Sequence, residues 1–273
     1  MTHAERLCCT HVGLACVLGA ALAGCGTLPN GRGWGQDATL VPGQERLKRA
    51  AIQAIRDPMI WGPAAGAAVF GLTDLDERVS TWASENTPIF GSPSRADNAS
   101  DTLLAATNAS YLVTALATPS GNEPRVWVLS KLKGLGVEYA AVKATGLSTD
   151  VLKHWTDRER PDGSDHSSFP SRHSSTGFAR ATLAGRNVGA LPLGDHTKTV
   201  MKVGVMTLAA GTAWARVEAQ KHFPSDILAG AALGNFIASF AHDAFLGSAD
   251  DRKIGLSVAP SRRGLIVGIA FAL

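Results

Sequence analysis

The sequence predicts a mainly α-helical domain, a bundle of helices followed by a C-terminal β-hairpin. Apolar residues recur at helical spacing through most of the chain. Charges sit inside most of these stretches, as at Lys131, Lys133, Glu138 and Lys143 in one and Arg180 and Arg186 in another. Charges at a helix centre in lipid cost several kcal/mol each, so the pattern suits a water-facing bundle better than a many-pass membrane protein. Near the C-terminus the period changes, with Leu265, Val267, Ile269, Phe271 and Leu273 on one face of a strand.

The elements follow in order. Arg6 precedes an uncharged stretch from Leu7 to Gly24 that ends in Leu22-Ala23-Gly24-Cys25. A short apolar run before small residues reads as a secretory signal over residues 1–24 rather than a spanning helix. The tetrapeptide resembles a bacterial lipobox, which implies acylation of Cys25; Gly26 after it, in place of Asp, implies the outer membrane. The alternative is an ordinary signal peptide that leaves Cys25 a free thiol. All four cysteines lie in the first 25 residues, so the body of the chain has no disulfide and no thiolate metal site. Residues 25–43 are glycine-rich and read as a flexible tether.

From residue 44 to 246 the texture is helical. Gln44 to Arg56 is amphipathic, Met59 to Leu72 is nearly uncharged but short for a bilayer, and Asp74 to Glu85 follows. The main helices are expected over Ala99–Thr118, Pro124–Thr145, Ser174–Ala190, Lys198–Val217 and Pro224–Phe245. The last is apolar on nearly all sides and reads as the buried central helix, with a single membrane span as the alternative. Lys253–Ala259 and Gly264–Leu273 flank Pro260-Ser-Arg-Arg263 as the hairpin within residues 247–273. A lone hairpin is marginal in water and should pack on something.

A formal charge of +3, without a dense basic run interleaved with aromatics, argues against nucleic acid as a partner. The chemistry lies in three polar clusters: Lys153 to Pro161, Phe169 to His173, and Arg216 to Asp226. A phosphoryl group in its transition state spreads negative charge over oxygens that cations can clamp. Arg160 and Arg216 offer planar forks for that, with Lys153 as a point charge. Ser171 precedes a helix start, where a hydroxyl and backbone N–H groups can hold an anion. A neutral imidazole attacks phosphorus when a carboxylate holds its other nitrogen. His222 and Asp226 are four apart around Pro224, favoured in a first helical turn. His173 is then the candidate general acid and base.

Taken in order, these residues resemble the type 2 phosphatidic acid phosphatase superfamily, which includes bacterial acid phosphatases and vanadium haloperoxidases. Lys153 and Arg160-Pro161 match its first motif, Lys-x6-Arg-Pro. Pro170, Ser171 and His173 match Pro-Ser-Gly-His, with Arg172 in the glycine position. Arg216, His222 and Asp226 match Arg-x5-His-x3-Asp, with Ala215 where serine is common. The resemblance spans roughly residues 60–246. It implies a helical bundle of that kind and a phosphohistidine on His222. It also implies metal-independent hydrolysis of phosphate monoesters or pyrophosphates, with no cofactor. Arg172 is expected either to add a phosphate-binding cation or to be strained if its φ must be positive.

The expected substrate is a phosphorylated lipid or a small phosphate ester. The expected location is the bacterial cell envelope, anchored through Cys25 to the periplasmic face of the outer membrane. Two other readings keep the same residues: a haloperoxidase holding vanadate, and a non-catalytic envelope lipoprotein.

Overall fold

The structure is a computed structural model that describes residues 24–247, 254–261 and 264–271. The expected signal segment, up to residue 23, lies outside the described residues. Eight α-helices are described: α1 Gln44–Arg56, α2 Pro58–Gly71, α3 Leu75–Asn86, α4 Pro93–Ala117, α5 Pro124–Thr156, α6 Arg172–Ala190, α7 Asp195–Glu218 and α8 Pro224–Ala241. A π-helical turn, His242–Leu246, closes α8. Strands β1 Ile254–Ser261 and β2 Gly264–Phe271 pair antiparallel, with Ile254 opposite Phe271 and Ser261 opposite Gly264. The hairpin expected from the alternation is therefore present, displaced by a residue or two at its ends.

Helix α8 is the central element, packed by α2, α5, α6 and the π turn. Its small residues permit this. A Cβ on Gly234 would fall 2.1 Å from the Ser175 carbonyl oxygen of α6, so only glycine allows the two helices to pack this closely. No described helix is long and apolar enough to cross a membrane.

The helix expected over Pro224–Phe245 ends as an α-helix at Ala241, with the π turn taking its last residues, and that expected from Lys198 begins at Asp195. Two boundaries differ more widely, each for a local reason. Helix α4 starts at Pro93 rather than Ala99, because Ser92 caps it by accepting from the Arg95 N–H and Pro93 sits in the first turn. Helix α5 runs on to Thr156 instead of ending at Thr145. The Thr145 and Thr149 hydroxyls bond back to the Ala141 and Thr145 carbonyls, and Thr149 also pairs with Ser175 of α6 at 2.8 Å. Cross-helix bonding holds α5 past Gly146. As a result Lys153 stands in the last turn of a helix rather than in a loop.

The expected flexible tether differs too. Trp34 is 2% exposed, and its ring lies where a Cβ on Gly134 of α5 would be. The Gly24 carbonyl accepts from the Trp127 indole at 2.9 Å and from the Ser120 N–H at 3.0 Å, and Gly26 bridges Gly121. Burying one large aromatic side chain against a glycine notch outweighs the freedom of a glycine-rich segment. Lys131 completes the junction. Its ammonium caps α4 by donating to the Ala115, Leu116 and Thr118 carbonyls while lying 5.2 and 5.6 Å from the Trp34 and Trp127 rings.

Candidate active site

Four element ends meet at one place: the C-termini of α5 and α7 and the N-termini of α6 and α8. The loops between α5 and α6 and between α7 and α8 complete it. This brings together Lys153, Arg160, Ser171, His173, Arg216, His222 and Asp226. The N-termini of α6 and α8 carry positive partial charge and the C-termini of α5 and α7 negative, so the preference for an anion comes from the side-chain cations and from the first N–H groups of α6 beside Ser171.

His222 is 2% exposed, and its backbone N–H donates to the Arg216 carbonyl at the C-terminal end of α7. Its Nδ1 lies 3.7 Å from Asp226 Oδ2 and has no hydrogen-bond partner among the described residues. That is beyond hydrogen-bond reach, so the carboxylate acts on the ring through its charge. Catalytic contacts are often loose in this way before substrate tightens them. Burial pushes the imidazole down to about 4; the Asp226 charge opposes this, and Lys153 and Arg216 add to it. The ring is therefore neutral near pH 7, the form that can attack.

Asp226 is fully buried and heavily held. Its Oδ2 accepts from the Phe223 N–H at 2.8 Å and from the Ser168 hydroxyl, and its Oδ1 accepts from Arg158 Nη1 at 2.9 Å. Burial alone would raise its carboxyl, but His222, Ser168 and Arg158 outweigh that and keep it below the ordinary value. Arg158 also donates to Asp76 at 2.9 Å and to Ser225 at 2.7 Å, and stacks 4.1 Å from the Phe223 ring. Asp76, on α3, is buried and accepts in turn from the Ser225 N–H at 2.8 Å and from its hydroxyl. Arg158 thus bridges two buried carboxylates, one of which faces His222.

The three cations crowd one another. Burial and then the Arg160 charge bring Lys153 down to about 8, while its ammonium donates to the Ser167 carbonyl. Arg216 is also lowered by burial, with Arg160 adding and Asp97 opposing. Arg216 pairs with Asp97 and Ser100 of α4, and its buried Nε has no partner among the described residues. Arg160 pairs with Asp165 at 2.7 Å and reaches the Lys221 carbonyl. A dianion placed among them would relieve this mutual repulsion.

Ser171 caps α6, accepting from the Ser174 N–H, and its own N–H donates to the Asp226 carbonyl at 3.0 Å. His173 Nε2 lies 2.9 Å from Asp101 of α4; burial lowers the ring, Asp101 opposes, and the Arg216 charge adds. Arg172 is turned elsewhere. Its Nη1 donates to both oxygens of Asp150 on α5, at 2.6 and 2.7 Å, with the guanidinium over Gly146. The expected fourth phosphate cation is thus already engaged by a carboxylate. Nor is it strained: it is the first residue of α6, and the non-glycine positive-φ residues among those described are Thr87, Asp157 and Gln220.

Sequence reasoning missed Arg158, Asp76, Ser168, Asp97 and Asp101. Arg158 and Ser168 lie inside or beside the recognised clusters, and that nearness was their only signal. Asp76 is 149 positions from Ser225 and had none. Among the described residues no group of three or more His, Cys, Asp or Glu is placed to hold a metal ion. Cys25 is exposed.

Residues 135–248 match the family model of the PAP2 superfamily, a span that contains all three clusters. A curated relative, the lipid A 1-phosphatase of Porphyromonas gingivalis, is 35% identical over 85 residues. The match covers 31% of this chain and 18% of that protein, so the chain spans under a fifth of the relative's length. Among solved structures, the transmembrane PAP2 type phosphatidylglycerolphosphate phosphatase from Bacillus subtilis superposes with a TM-score of 0.49 at 21% identity. That superposition covers 67% of this chain and 92% of the other.

Proposed function

We propose, from the match of residues 135–248 to the PAP2 superfamily model, that the chain is a metal-independent phosphatase that cleaves phosphate monoesters or pyrophosphates through a phosphohistidine. The observation that carries this reading is a buried, neutral His222 backed by Asp226 beside three mutually repelling cations.

Lys153, Arg160 and Arg216 hold the phosphate oxygens, with the α6 N-terminus beneath them. The Nε2 lone pair of His222 forms the N–P bond as the ester P–O bond breaks. The charge that develops on the ring is offset by Asp226. His173 gives its proton to the departing oxygen, so the alcohol or phosphate leaves neutralised. It then takes a proton from water, whose oxygen displaces the histidine from phosphorus and releases inorganic phosphate. Arg158 and Asp76 act only through Asp226, as positioning residues.

The substrate class follows the relative, whose name specifies a phosphorylated lipid. A lipid-borne phosphate is therefore the first candidate, with a small soluble ester as the comparison. Acylation of Cys25, exposed at the start of the described chain, would place the enzyme on the periplasmic face of the outer membrane. Phosphate release from a chromogenic monoester and from a lipid phosphate tests the reading. Release should survive chelator, stop with vanadate, and vanish in His222→Ala while that variant still melts in one cooperative transition. Activity that needs added divalent metal, or that persists in His222→Ala, refutes it.

A further inference from the structure

We propose that the outer face of α5 lies along an anionic lipid surface, so that the candidate active site opens at the bilayer. The proposal rests on the phosphatase reading for the identity of the substrate and on acylation of Cys25 for the anchor; the contact itself is argued from α5.

Helix α5 has 33 residues, about 50 Å at 1.5 Å per residue. Its inner face packs on α6 and α8. Its outer face carries Leu129, Leu132, Tyr139, Leu147, Val151 and Trp155, each at least half exposed, from 50% at Leu129 to 78% at Trp155. With Gly136 and Lys143 filling the gaps, these positions recur every three or four residues, so they form one stripe from end to end. Large side chains left in water along so much of one helix mark a contact surface.

The charges on the helix indicate what the contact is. Arg125, Lys133 and Lys143 are exposed on the same helix; its exposed carboxylate, Asp150, is already paired with Arg172. Lys143 sits 5.4 Å from the Tyr139 ring. A helix that is apolar on its outer face and cationic beside it fits the interface of an anionic bilayer.

The ends of the helix give the contact a direction. Cys25 sits beside the N-terminal end of α5, fixed there by the bonds of Gly24 to Trp127 and Ser120. Lys153 stands at the other end. From Trp127 to Lys153 the helix rises about 39 Å. If α5 stood upright on an anchor at Cys25, the site would be held that far above the lipid. Lying flat on its apolar stripe, the same helix brings the site down to the headgroups, with Trp155 inserted beside it. Aromatic side chains favour that depth.

The test uses the lipidated chain reconstituted in phosphatidylglycerol-containing vesicles. The processed chain has no cysteine after Cys25, so one introduced thiol takes one fluorescent label. Labels at Leu132→Cys, Leu147→Cys and Val151→Cys should be quenched by lipid-borne quenchers and shielded from iodide. A label at Val203→Cys, on α7, which packs on α4 and α6, should show the reverse. Neutralising all three cations, as Arg125→Gln, Lys133→Gln and Lys143→Gln, should lower the flat-to-upright ratio by on the order of a hundredfold, since each surface cation contributes about 1 kcal/mol at an anionic membrane. Turnover of a soluble monoester should stay unchanged in that variant, while turnover of a vesicle-borne phosphate falls.

Labels on α5 as open to iodide as the one at Val203 would overturn the proposal. So would shielding that appears without vesicles and grows with protein concentration, because a second copy would then cover the face. Loss of all turnover in His222→Ala with the quenching pattern intact supports both readings. A quenching pattern found in a chain without phosphatase activity overturns the phosphatase reading alone.

Discussion

Replacing Arg158 by methionine removes the bridge between Asp226 and Asp76 while keeping the length and much of the apolar bulk of the side chain. Three donated bonds are lost, at 2.9 Å to Asp226, 2.9 Å to Asp76 and 2.7 Å to Ser225, together with the stacking on Phe223. Breaking a buried ion pair from one side costs about 3–5 kcal/mol. Here both carboxylates keep other donors, Phe223 and Ser168 on one and the two Ser225 groups on the other, so the loss should lie near about 3 kcal/mol.

Turnover should fall separately from stability. A hydrogen bond to a charged group is worth about 1.5–3 kcal/mol. If that bond is what orients Asp226 behind His222, kcat should drop about 10- to 150-fold, with KM nearly unchanged. Asp226 also loses a cation that keeps its carboxyl low, so the acid limb of the kcat profile should move upward. Arg158→Lys should recover part of kcat, because an ammonium can still serve one of the two carboxylates. Phosphate release and thermal melting on the same preparations measure both effects. A variant with full kcat and a lowered melting point would make Arg158 merely structural, and a raised KM at constant kcat would place it on the phosphate instead.

Between about pH 4.5 and 8 stability should pass through a maximum near pH 6.5; above 8, Lys131 and Lys153, both pushed down to about 8 by burial, make it rise again. His222 and His242 are buried and pushed down to about 4, so between about 4 and 6.5 the unfolded chain binds protons that the native state refuses, and stability rises with pH. Burial raises Glu138 to about 8, so the native state keeps a proton that the unfolded chain has lost, and stability falls as pH rises from about 4.5 to 8. Two histidines against one glutamate leave a net rise of about 1.4 kcal/mol per pH step up to 6.5 and a similar fall from there to about 8. Melting at pH 5, 6.5 and 8 reads this, and Glu138→Gln should flatten the alkaline side. Gly134→Ala would put a Cβ 2.2 Å from the Trp34 ring. Expelling or shifting that ring should cost about 1–3 kcal/mol, and Trp34 fluorescence should turn wet. Arg172→Ala removes only a half-exposed pair with Asp150, so melting should change by less than about 1 kcal/mol and KM for a monoester should hold.

The residues of the candidate site are legible in the sequence because they fall where apolar segments break. Lys153, Arg160, Ser171, His173, Arg216, His222 and Asp226 all stand at helix ends or in short connections, with fixed spacings inside each cluster. Their supports are not legible in the same way. Asp76 reaches Ser225, Asp97 reaches Arg216 and Asp101 reaches His173 across 149, 119 and 72 positions, and no local period encodes such a pairing. The same limit explains the N-terminal segment. Glycines there look like slack, and only the notch at Gly134 turns Trp34 into a fastening. Gly146 likewise looks like a stop in α5, and the continuation of the helix beyond it depends on Thr149 meeting Ser175.

Asp226 is a knot as well as the partner of His222. Its side chain ties down Arg158, Ser168 and Phe223, and its carbonyl ties down Ser171, so all three clusters are fastened to one residue. A substitution elsewhere on the rim of the site leaves this knot tied. A substitution at position 226 slackens every loop at once, so architecture and turnover stand or fall together there.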